Sequence, residues 1–121
     1  MPRIEPFGSR PDLIQPILEL CVEDWTGLWH ILADAAKAVN ARQDAIFREA
    51  IRDQLAEMVA REFLQAAMWS YEAPRPVTAD EMRWLPLDSE LWKSPMDSNV
   101  PEQIRLAATD AGTRLYFGVS E

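Results

Sequence analysis

The chain contains one cysteine, Cys21, and one histidine, His30, in 121 residues. A lone cysteine excludes an intrachain disulfide and a multi-cysteine metal site. No apolar run approaches the ~18 residues of a membrane-spanning helix. The opening "MPRIEPFGSR" holds two prolines and no apolar core, so a signal peptide is not expected and the cytoplasm is the expected location. A basic block is missing as well. Lys plus Arg number 12 against 20 Asp plus Glu, a net charge of −8. The deficit is spread, with 7 basic and 10 acidic residues in 1–61 and 5 and 10 in 62–121. Nucleic acid draws its affinity from Lys and Arg that displace counterions. Polyanions are therefore unexpected partners, and no membrane association is expected.

What is present suits one globular domain. The chain is 48% hydrophobic, in the range of folded proteins. A domain of this size buries roughly two-thirds of the surface that its unfolded chain exposes, enough for one core. Residues 1–11 carry three prolines and a glycine and read as an N-terminal arm. Residues 12–121 form the expected single domain, with no internal repeat.

Helical signals dominate the first half. "DLIQPILELC" is a short helix capped either by Asp12 or by Gln15, the latter placing Pro16 at the first helical position. Asp24 is the expected cap of a second helix to about Val39, with Trp25, Leu28, Trp29, Leu32, Ala36 and Val39 on one stripe. Gly27 inside it permits a close contact near the tryptophans. Asp44 opens the longest pattern, with Phe47, Ile51, Leu55, Met58 and Val59 on one face. Like charges stand one turn apart at Arg48–Arg52, Glu49–Asp53 and Asp53–Glu57, each a small cost to the helix. The expected core joins Trp25, Leu28, Trp29, Leu32, Phe47, Ile51, Leu55 and Met58.

The second half is more broken. "EFLQAAMWSYEAP" fits helix by its Ala, Gln and Met, and strand by Phe63, Trp69 and Tyr71. Thr78 to Glu81 matches a capping box, so a short helix starts at Ala79. "LPLDSELWKSPMDSNVP" is an irregular excursion anchored by Trp84, Leu87, Leu91 and Trp92. In "EQIRLAATDAGTRLYFGV" two alternating segments flank Asp110–Gly112. Ile104 and Leu106 share one face, as do Leu115, Phe117 and Val119, and Gly112 supplies the positive φ of a hairpin turn.

Three helices, a possible strand, an excursion and a hairpin form an order that resembles a winged helix. "RLAATDAGTRLYF" looks like the wing hairpin of that class, with Ala108 and Thr109 at its Leu-Thr positions. "DWTGLWHI" is similar to the first domain helix of small uncharacterised bacterial proteins of this build. The resemblance spans about residues 20–119 and implies an α+β, winged-helix-like fold in which helices precede a C-terminal β-hairpin. Two departures separate it from a DNA reader. Residues 44–61 contain no Gly, Pro or turn cluster, and their arginines are matched by acids.

Candidate chemistry is sparse. His30 and Asp34 lie one turn apart, but helical metal sites need more ligands. The acids beside Cys21 disfavour a thiolate, so a buried structural role is expected. No spacing of Glu23–Asp24, Asp80–Glu81 or Asp88–Glu90 defines a carboxylate pair. Neither a cofactor, a metal nor catalytic residues are expected, and the chain does not read as an enzyme. Trp84 and Trp92, set in irregular chain, either pin the loop or form an interface. The functional expectation is a non-enzymatic protein–protein interaction module or self-associating domain. An immunity-type inhibitor of a basic toxin is one form of it. The alternative is a DNA-binding transcriptional regulator with Arg42, Arg48, Arg52, Arg105 and Arg114 on one face.

Overall fold

The computed structural model describes residues 6–70 and 73–118. Its order is α1 (Ile14–Cys21), β1 (Thr26–Gly27), α2 (Leu28–Ala38), α3 (Ala45–Ala60), β2 (Leu64–Trp69), β3 (Arg75–Val77), α4 (Ala79–Arg83), β4 (Gln103–Ala108) and α5 (Asp110–Phe117). Short 3-10 turns cover Pro11–Leu13 and Glu90–Trp92. The fold is mixed α+β, with a four-stranded antiparallel sheet ordered β1-β4-β2-β3.

The sheet has two unlike faces because successive strand residues point to opposite sides. Register pairs Leu64 with Ala108, Ala66 with Leu106 and Met68 with Ile104 on the inner face. All six belong to or pack on the hydrophobic core, which they share with Ile17, Leu28, Ile31, Ile51 and Leu55 of α1, α2 and α3. The outer face carries Gln65, Ala67 and Trp69 of β2 opposite Ala107, Arg105 and Gln103 of β4.

Local chemistry explains most helix ends. Asp44 caps α3 by accepting from the Phe47 amide at 2.9 Å. Thr78 and Glu81 form a reciprocal capping box at 3.0 and 3.1 Å. Neither Asp12 nor Gln15 caps α1. The helix follows the Pro11–Leu13 turn directly, with Leu13 at the boundary. Pro16 still falls among the first four positions, whose N–H groups have no intrahelical acceptor. The end of α3 reverses through Glu62, at φ 64°, so that the Phe63 amide returns to the Met58 carbonyl. Asn40, at φ 55°, closes α2 in the same way.

Two further expectations fail, each for a physical reason. Asp24 does not cap α2. Thr26 and Gly27 are drawn into the sheet beside Leu106 and Arg105, and the helix starts only at Leu28. Asp24 instead accepts from the Trp25 amide. The stripe is therefore shorter, and Trp25 and Trp29 lie outside the core, although Leu28, Leu32, Phe47, Ile51, Leu55 and Met58 are buried in it.

Among the described residues the C-terminal hairpin is also absent. Residues 103–108 are a strand as expected, but it pairs with β2 and β1, and Asp110–Phe117 is helix. Thr109 is an N-cap that accepts from the Gly112 amide at 3.1 Å. Gly112 serves close approach, not positive φ. A Cβ there would come 2.0 Å from the Phe63 carbonyl oxygen. Leu115 packs on the core while Phe117 stands exposed, so their two-residue spacing is not that of a strand face. The expected role of Val119 lies outside the described residues.

The proline-rich start is tied down where it is described. Gln54 is a fully buried amide on α3. Its Oε1 accepts from the Arg10 amide at 2.8 Å and its Nε2 donates to the Phe7 carbonyl at 3.2 Å. Phe7 also packs on Phe63, with the Arg61 guanidinium 4.6 Å from its ring centroid.

Candidate interaction surfaces

The two candidate tryptophans separate. Trp92 is 5% exposed, and its indole N–H donates to the Pro86 carbonyl at 2.9 Å. It joins the core cluster and holds the excursion down, so it is no interface anchor. Trp84 is 78% exposed and does not join the core cluster. It follows α4 and borders a groove of 370 Å³ lined by Ser9, Arg52, Asp53, Glu57 and Arg83. This surface sets an apolar ring among charges of both signs.

The excursion is fastened by α3. Arg48 Nη1 donates to the Leu87 carbonyl at 2.6 Å, and Arg52 Nη1 donates to the Leu85 carbonyl at 3.1 Å. Arg52 also contacts the Asp53 carboxylate at 3.0 Å. Both arginines must leave α3 on one side to reach neighbouring carbonyls, which accounts for their unfavourable one-turn spacing. These bonds also occupy two of the cations that a DNA-reading face requires. Arg105 lies across the sheet from them, its guanidinium 5.1 Å from the Trp69 ring centroid.

The outer sheet face is a second aromatic surface, and sequence reasoning missed it. Trp69 meets Trp25 edge-on with centroids 5.9 Å apart. Trp29, 36% exposed, folds back over Gly27, where a Cβ would stand 2.7 Å from its indole nitrogen. Register puts Gly27 beside Arg105, on this same face. Ala67 and Ala107 here are buried without belonging to the core cluster, as expected where large side chains lean over small ones. The Trp69 indole N–H is buried without an acceptor. The missed signal was Gly27: beside Thr26, it permits a short strand with a ring folded across it.

The remaining candidates have ordinary surroundings. His30 Nε2 lies 3.2 Å from Asp34 Oδ2, both half exposed, and its ring stacks on Trp29 at 5.4 Å. Among the described residues, no group of three or more His, Cys, Asp or Glu could hold a metal ion. Cys21 is buried on α1, and desolvation pushes its thiol up to about 12. Burial, not the neighbouring acids, is the cause. Glu81 is held below the usual carboxylate range by the Thr78 amide and by Arg75. No described helix is long and apolar enough to cross a membrane. No protein-family model, curated protein or solved structure matches the chain.

Proposed function

We propose that this chain is a non-enzymatic protein-interaction module that engages its partner through Trp84 and the groove beside it. The observation that carries this reading is the 78% exposure of a tryptophan next to a groove. Tryptophan is the residue type most enriched among energetic anchors of interfaces. The net charge of −8 favours a basic partner, as an immunity-type inhibitor of a basic toxin would have. A cytoplasmic setting belongs to the same proposal. The buried, hard-to-ionise thiol of Cys21 disfavours it as a nucleophile.

The test compares the full chain with its Trp84→Ala variant, which should fold equally well. Sedimentation of the protein alone and cross-linked capture from its source cells both read association. The reading requires wild type to self-associate or retain a defined protein, and the variant to lose at least tenfold in affinity. Equal retention by both removes Trp84 from function. Fluorescence anisotropy with duplex DNA tests the regulator alternative. Sub-micromolar affinity that falls steeply with salt would favour it.

A further inference from the structure

A second groove, of 320 Å³, lies between Met68 of β2, the excursion and Glu102, which precedes β4. Its walls are the apolar side chains of Met68, Leu91 and Val100, with Ser89, Glu90 and Glu102 at the polar positions. The two carboxylates differ. Glu90 is fully engaged: Oε2 is 2.8 Å from Lys93 Nζ, and Oε1 accepts from the Asn99 amide at 2.8 Å. Glu102 is not. Its Oε2 is buried and accepts no hydrogen bond.

We propose that this groove binds a primary alkylammonium group, with the cation on Glu102 and the alkyl stem along Met68, Leu91 and Val100. A carboxylate that loses water at one oxygen without gaining a donor is a high-energy group. Glu102 lines the groove, and its charge is delocalised over both oxygens, so a cation held in the groove offsets the cost of the buried one. The apolar walls select a donor carried on a methylene chain, because such a stem gains burial while its head stays charged. Glu90, already neutralised by Lys93, does not compete for the cation. The proposal is independent of Trp84, whose replacement leaves this binding unchanged.

The test titrates the full chain with n-butylammonium chloride, n-butanol and Nα-acetyl-lysine methylamide, followed by calorimetry and by the methyl resonances of Met68 and Val100. Saturable binding of n-butylammonium is expected, at least tenfold tighter than that of n-butanol. Glu102→Gln should weaken the amine about tenfold or more, consistent with loss of a charge-assisted hydrogen bond, and leave n-butanol unchanged. The comparison of amine with alcohol on wild type stands even if the variant folds poorly. Tighter binding of the lysine derivative assigns the groove to a side chain of a protein partner, and equal binding to a free amine. Absence of saturable binding, equal affinity for amine and alcohol, or an unchanged Glu102→Gln overturns the proposal.

Discussion

Arg48 and Leu87 stand 39 positions apart in sequence and are joined by a 2.6 Å hydrogen bond from guanidinium to main-chain carbonyl. Together with the bond from Arg52 to the Leu85 carbonyl, it fixes an irregular segment that has little regular structure of its own. Arg52→Ala should lower stability by about 2 kcal/mol, since a hydrogen bond from a charged donor is lost and a part-buried carbonyl loses its partner. Urea denaturation gives the value. Amide exchange near Leu85 should rise at the same time. Unchanged stability would mean that water replaces the guanidinium without cost.

Trp92 and Trp84 predict opposite results. Trp92→Ala should cost ~3–5 kcal/mol, through lost burial and the cavity left behind. Trp84→Ala should change unfolding by less than about 0.5 kcal/mol. A large loss with Trp84→Ala would mean that its ring packs in solution, and the interaction surface would fall with it.

Gly112→Ala tests the closure between β2 and α5. The added methyl meets the Phe63 carbonyl oxygen, a main-chain atom that cannot rotate away. A loss of about 2 kcal/mol or more is expected, as for other forced overpacking. Alanine is otherwise the better helix former, so a stabilised variant would refute this contact.

Glu62→Gly should have the opposite sign. A side chain in the left-handed region costs roughly 1 kcal/mol, and glycine removes that cost where α3 reverses. Thermal unfolding should shift upward. A downward shift would show that the flexibility gained by the unfolded chain outweighs the relieved strain.

Cys21 gives a pH dependence. Its thiol ionises near 9.0 when unfolded and at about 12 when folded, because the folded core excludes the thiolate. The folded state thus favours the protonated form. This contribution is complete below pH 9 and is lost as pH rises through the interval to about 12. Cys21→Ala should flatten stability across that window. Thiol reagents should label wild type only upon unfolding, and rapid labelling of the native state would contradict the burial.

Elements defined by nearby residues were legible in the sequence. α3 shows its cap at Asp44 and its apolar face, and α4 shows the Thr78–Glu81 box. Residues 103–108 alternate as a strand should. Errors arose where distant pairing decided the outcome. Thr26 and Gly27 look helical until β4 arrives beside them, and that pairing moves Trp25 and Trp29 out of the core. Gly112 has the composition of a turn, while the Phe63 carbonyl that requires it lies 49 residues earlier. Of the candidate surfaces, the irregular setting of Trp84 and Trp92 is legible in the sequence, but not that one ring is exposed and the other buried. Burial of Trp92, the outer sheet aromatics and the Glu102 groove depend on contacts between segments far apart in the chain.

The position of β4 between β1 and β2 also orders events during synthesis. Residues 26–27 and 64–69 emerge from the ribosome well before residues 103–108 that join them. At ~5–20 residues per second, the nascent chain spends on the order of a few seconds with the edge of β2 bare. A naked strand edge can pair with another chain. Any delay between the emergence of residue 69 and the emergence of residue 108 therefore lengthens the interval in which aggregation competes with folding.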